Sequence, residues 1–260
     1  MKRSLPSIFS SCLCVFVFIL SSVPAAAKVE LLPRAGEIFA PFLADPHQPR
    51  LSASYYRLHS ADQSDLAAGG SLGLLRARVG DLSWLGQWEA EGMARARIGR
   101  NGRTEAADLS AALPLSLRRG DVSFKTGPFY RGADSGRPRF SELGLRALAA
   151  LELWTAFRAY AGTSFLFHTA PSAKRWGLQT GVELRSPEFR LFSRPGVRAY
   201  LAEDLQFHER VGFNPNSRLA AGLQINALRV QAGWFDGHST YGRFFSDKEH
   251  YADLTFLLEL

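Results

Sequence analysis

Beyond residue 50, apolar and polar positions alternate with a period of two instead of recurring every three to four residues. That is the signature of strands whose two faces meet different surroundings. The clearest run is residues 84–98. Trp84, Gly86, Trp88, Ala90, Gly92, Ala94, Ala96 and Ile98 form one uncharged face, and Gln87, Glu89, Glu91, Arg95 and Arg97, between Leu85 and Met93, form the other. A typical globular strand has about five or six residues, so a run of this length, with tryptophans on its uncharged face, predicts a wall between lipid and a wet lumen.

Weaker versions of the theme follow. Leu109, Ala111, Leu113, Leu115 and Leu117 alternate with Asp108, Ser110 and Ser116, and Trp176, Leu178, Thr180, Val182 and Leu184 with Gln179, Glu183 and Arg185. The pattern predicts about twelve strands, over residues 50–58, 71–79, 84–98, 107–118, 121–130, 143–153, 156–167, 175–185, 196–207, 217–226, 227–235 and 250–260. The expected fold class is all-β, an antiparallel transmembrane β-barrel of the outer-membrane type.

Such barrels have short turns on one side and longer loops on the other. Residues 59–70, 99–106, 131–142, 168–174, 208–216 and 236–249 read as long links, and residues 80–83, 119–120, 154–155 and 226–227 as short ones. Residues 186–195 break the alternation. The last strand alternates Ala252, Leu254, Phe256, Leu258 and Leu260 with Asp253, Thr255, Leu257 and Glu259, which resembles a C-terminal barrel-assembly signal with Leu where Phe is usual. The partners implied are outer-membrane lipids, the barrel-assembly machinery and small solutes. Trp84, Trp154, Trp176 and Trp234 fall at or near predicted strand ends, where indole rings favour the boundary of a bilayer.

Residues 1–27 read as a secretory signal, with Lys2 and Arg3 before an apolar core and Ala25, Ala26 and Ala27 at the cleavage site. Residues 28–49 would then be a periplasmic lead-in placed to plug or brace the lumen, and residues 50–260 the barrel, exported to the cell outer membrane. Without Lys2 and Arg3 the chain keeps 29 basic and 24 acidic residues, a net charge of +5. Both cysteines, Cys12 and Cys14, lie in the leader, which excludes a disulfide or cysteine–metal scaffold in the mature protein.

Three stretches resemble a bacterial family known as domain of unknown function 1207. They are the residues from Glu37 through Ile38, Phe39, Ala40, Pro41, Phe42, Leu43, Ala44, Asp45, Pro46, His47, Gln48 and Pro49 to Arg50; the segment from Ala107 and Asp108 to Arg118; and the run Asp236, Gly237, His238, Ser239, Thr240, Tyr241, Gly242, Arg243, Phe244, Phe245. The resemblance implies an exported barrel and supplies no activity. Where many members carry a histidine-containing run after the central strand, this chain reads Tyr130, Arg131, Gly132, Ala133, Asp134, Ser135, Gly136.

The candidate chemistry is sparse. None of the six histidines stands at metal-binding pair spacing, and there is no phosphate-binding glycine loop and no single basic patch for nucleic acid. No cofactor and no metal site is expected, and no catalytic constellation stands out. A barrel-wall lipid hydrolase would need Ser239 as nucleophile with His238 and Asp236 nearby. The remaining candidates are polar residues expected to line the lumen: Gln87, and the charged groups Glu89 and Glu91 with Arg95 and Arg97, Glu152 with Arg146 and Arg158, and Glu183 with Arg185. They suit either a charged pore selecting small solutes or a polar core that satisfies itself. The leading expectation is a non-enzymatic barrel, a narrow channel or a structural element of the envelope. A soluble periplasmic ligand-binding barrel is the other alternative, and it requires the Trp84 face to point inward.

Overall fold

The computed structural model describes residues 29–33, 38–79, 84–133, 140–154, 156–191 and 194–258. The leader, and the terminal Leu260 of the assembly signal, lie outside them. The strands are β1 (Val29–Leu31), β2 (Leu51–Leu58), β3 (Ala61–Val79), β4 (Trp84–Gly99), β5 (Thr104–Ala112), β6 (Leu115–Arg119), β7 (Val122–Ala133), β8 (Phe140–Leu153), β9 (Phe157–Ala170), β10 (Trp176–Arg185), β11 (Phe189–Leu191), β12 (Arg194–His208), β13 (Pro215–Ile225), β14 (Leu228–His238) and β15 (Lys248–Leu258). Each wall strand pairs antiparallel with its neighbours in sequence, and β15 pairs with β2 to close the sheet. With β5 and β6 counted as one interrupted strand, and β1 and β11 as short additions to β3 and β12, the wall is a closed barrel of twelve strands.

The interruption has a simple cause. Pro114 has no N–H to give the ladder, so the pairing to β7 breaks there and resumes at Leu115↔Thr126. Backbone contacts from Glu89 N to Pro114 O (2.9 Å) and Leu113 N to Pro128 O (3.1 Å) close the gap. Gly127 makes this approach possible, because a Cβ there would fall 2.5 Å from Pro114 Cα and 2.6 Å from Leu113 O.

One expected link is corrected. Residues 59–70 do not form a long loop: β3 begins at Ala61, and the connection is a tight turn through His59 (φ 49°) and Ser60 (φ 67°), the left-handed pair that suits a two-residue hairpin. The polar run that reads as a loop is strand, with Gln63 buried and Leu66 exposed on the opposite face. The irregular connection at residues 186–195 contains β11, which folds back on β12. Trp234 is also not at a strand end but within β14, paired with Leu219 and Ala252.

The outer surface is apolar. Leu178, Val182 and Leu184 on β10, Leu219 on β13, Trp234 on β14, and Leu254 and Phe256 on β15 are all exposed, while the alternate positions Glu183, Arg218, Gln231, Asp253 and Thr255 are buried. This inverts the arrangement of a soluble ligand-binding barrel, and the apolar face of β4 likewise does not turn inward: Glu89 and Arg97 are the buried positions there. Val182→Arg, within the apolar band of β10, is therefore expected to destabilise the membrane-inserted barrel by about 2–4 kcal/mol, read as a lowered urea midpoint in lipid vesicles.

Candidate functional site

The barrel interior is occupied from within the chain. Ile38, Phe39, Phe42, Leu43, Ala44, Asp45 and Gln48 are all buried. At the short-turn end Arg118 donates to Ile38 O (3.5 Å), while His47 meets Arg131 near the opposite end of β7 (2.6 Å), so the lead-in runs along much of the lumen. Phe39 and Phe42 pack with Leu148, Ala150 and Tyr160, and the Phe42 and Tyr160 rings stack at 3.6 Å. Leu43 and Ala44 pack with Tyr200, Ala202 and Ala220.

Wall charges hold this backbone. Arg158 donates to Ala40 O (2.7 Å) and Pro41 O (3.3 Å), and Leu43 N donates to Glu183 (2.7 Å). Asp45 accepts from His47 N (2.8 Å), Gln48 (3.2 Å), Gln179 (3.1 Å) and Gln206 (3.1 Å), enough donors to keep a buried carboxylate ionised. Burial and the Arg131 guanidinium push the His47 imidazole down to about 4. It is thus neutral near pH 7, and its Nε2 accepts from Arg131.

A second element fills the lumen from the loop side. The connection between β14 and β15 turns inward, and Tyr241 is fully buried with the Arg95 and Arg97 guanidinium carbons 4.2 and 4.5 Å from its ring centroid. Gly242 N donates to Asp108 (3.0 Å), and Arg95 donates to Thr240 O. The three stretches that carry the family resemblance are therefore two lumen-filling segments and the strand whose Asp108 anchors one of them. Removing the Tyr241 ring deletes both cation–π contacts, each worth about 0.5–2 kcal/mol. Tyr241→Ala should raise the rate of trypsin cleavage at Arg243 by about tenfold or more, one factor of ten per roughly 1.4 kcal/mol.

Several expected partnerships are corrected. Glu89 and Glu91 do not pair with Arg95 and Arg97 but with Lys125 (3.0 Å to Glu89). Arg95 pairs with Asp108 (3.2 Å), and Arg97 with Glu249 (2.6 Å) and Asp65 (3.6 Å). Glu152 meets Arg118 (2.6 Å) and Arg158 (3.8 Å), not Arg146. Glu183 does reach Arg185 (2.9 Å) and also Arg158 (3.6 Å). The reason is geometric: inward positions of different strands face one another along the ladder and across the lumen, so most counter-charges come from another strand, while Glu183 with Arg185, two apart on β10, is a pair within one strand. Gln87 accepts from Arg76 (2.7 Å) and donates to Glu89 (3.1 Å). Sequence reasoning missed Asp65, Lys125, Arg131, Glu142, Arg210, Arg218, Glu249 and Asp253. The alternation was a usable signal for the buried ones, such as Lys125, Glu142 and Glu249.

Asp236, His238 and Ser239 do not assemble. Asp236 is exposed and faces His250 (3.6 Å), His238 Nδ1 lies 3.2 Å from Ser246 O, and Ser239 Oγ accepts from Tyr241 N (3.3 Å). No hydrogen bond joins the three side chains among the described residues. Ser239 serves as a brace for the inward-turned loop.

Residues 131–257 match the family described as "Protein of unknown function (DUF1207)", which covers the inward-turned loop but not the lead-in. Among curated proteins none matches the chain. Solved structures share the fold. The outer membrane phospholipase A of Escherichia coli is similar at TM-score 0.58 with 11% identity, over 83% of this chain and 94% of that one. The Salmonella typhi outer membrane phospholipase dimer with bound calcium gives TM-score 0.56 with 11% identity, over 86% and 95%. The KdgM porin gives 0.50 with 5% identity, over 81% and 98%. At these identities the likeness is one of architecture: the chain is a twelve-stranded barrel of the outer-membrane type.

Proposed function

We propose that this chain, with its DUF1207 match over residues 131–257 as the premise, is a non-enzymatic outer-membrane protein whose barrel is closed at rest by its own lead-in and inward-turned loop. The observation that carries the reading is the burial of Phe39, Phe42 and Leu43 inside the wall, with Arg158 and Glu183 bonded to the lead-in backbone. An open diffusion pore has no use for apolar side chains in its lumen. The interior polar residues Gln87, Glu89, Glu91, Arg95, Arg97, Arg146, Glu152, Arg158, Glu183 and Arg185 act in this reading chiefly as a lining that holds the plugs. Solutes reach only the space the plugs leave. Residues 1–27 act as the export signal, and lipids and the assembly machinery are the partners during insertion.

The test is membrane fractionation of the expressed protein combined with gel mobility before and after boiling. Recovery in the outer membrane with a boiling-dependent shift supports the reading; recovery in the soluble periplasm overturns it. The same preparation addresses hydrolysis. Phospholipid turnover abolished by Ser239→Ala would replace the non-enzymatic reading, whereas the loop-bracing role of Ser239 predicts no turnover to abolish.

A further inference from the structure

Beside the lead-in lies a cavity of about 110 Å³ bounded by β4, β5, β7, β8, β9, β10 and β12. That is room for several waters or a solute of a few heavy atoms. The carboxylates on its walls are all engaged: Asp45 by its amide donors, Glu91 by Lys125, and Glu142 by Arg131 (2.8 Å) and Arg210. Two guanidiniums thus share the single Glu142 carboxylate, and the buried Nε of each has no hydrogen-bond partner among the described residues. Arg146 also lines the cavity, with Phe129 beneath it (5.8 Å to the ring centroid). No carboxylate stands within ion-pair distance of it among the described residues. His208 and Ser164 add neutral polar groups to the wall, while the Gln206 amide is spent on Asp45 and Asp204. Near the mouth, Lys174 and Arg175 in the β9–β10 connection are exposed.

A wall with more guanidinium than free carboxylate, planar donors and little room is suited to an oxyanion. Arginine matches carboxylate and phosphate oxygens through paired N–H bonds, and exposed cations at a narrow mouth raise the local concentration of anions. We propose that this cavity binds a small solute bearing a phosphate or carboxylate group, with Arg146 as its principal anchor and Arg131 and Arg210 as the flanking charges. The proposal rests on the closed-barrel reading in one respect: the lead-in, through Asp45 and His47, forms part of the cavity wall.

The test is calorimetric titration of the full mature chain, folded in a phospholipid-free detergent at constant ionic strength. Inorganic phosphate, glycerol 3-phosphate and acetate are titrated separately. Saturable binding of at least one probe is expected, about tenfold or more weaker in Arg146→Gln, as for loss of a charge-assisted hydrogen bond. Arg146→Lys should bind with intermediate strength, since it keeps the charge and loses the fork. Arg198→Gln, at an exposed site paired with Glu188, should bind like the parent. Tighter binding of inorganic phosphate assigns the site to a free oxyanion and tighter binding of glycerol 3-phosphate to a lipid headgroup; both support it. No saturable heat from any probe, or equal binding in heat-modifiable Arg146→Gln, overturns it. Conductance is a separate readout, so a failed titration leaves the closed-barrel reading standing.

Discussion

Arg97→Ala is expected to cost the barrel about 3–5 kcal/mol, because it breaks a buried ion pair and leaves the other charge behind. The Arg97 guanidinium makes a two-pronged contact with Glu249 (2.6 and 2.9 Å), and both side chains are 2% exposed. Asp65 lies 3.6 Å from its Nε, and Tyr241 and Tyr56 present their faces at 4.5 and 5.6 Å. Alanine at this position strands Glu249 in the interior and removes one of the two cations that grip the inward-turned loop. The double replacement Arg97→Met with Glu249→Leu should recover most of the loss, since apolar groups of similar volume often replace a buried pair without cost. Urea unfolding in lipid vesicles, followed by gel mobility, reads both variants. A single-variant loss of about 0–1 kcal/mol, the value of a solvent-exposed pair, would mean that the Arg97–Glu249 fork is not buried in the folded protein.

The wall was legible because its two faces meet opposite solvents. Inward Glu183 and outward Val182 and Leu184 are adjacent letters in the chain, and a one-residue slip would put the charge in lipid. The rule failed in two places. Residues 62–65 are all polar, so β3 carries no outward apolar signal where it begins, and only Leu66 marks the change. Pro114 splits a strand whose alternation continues on either side of it. Ion-pair partners were not legible at all beyond Glu152 with Arg158 and Glu183 with Arg185, because pairing across a lumen depends on strand stagger. Lys125 sits at an inward position on a strand that was read correctly, yet nothing in its neighbours says it faces Glu89 and Glu91. The lead-in reads as an irregular stretch placed to plug or brace the lumen, but the sequence assigns none of its side chains a partner. Its Phe39, Phe42 and Leu43 follow neither strand nor helix periodicity, because each is fitted to the inside of a wall built by residues more than a hundred positions away.

Deleting residues 38–49 should open the barrel. The lead-in packs against β8, β9, β10, β12 and β13, and the inward-turned loop is held by Arg95 and Arg97 on β4, Asp108 on β5 and Phe140 at the start of β8, so removing one leaves the other anchored. Without the lead-in, Arg158 and Glu183 lose their backbone partners and face a space large enough for water, on a wall already lined with charge. A hydrated lumen of that kind conducts ions. Conductance across a planar bilayer tests the claim of a self-closed barrel most directly. The full mature chain should show no steady open state and the variant lacking residues 38–49 a stable one, whereas a steady open state in the full chain, unchanged by the deletion, would contradict it.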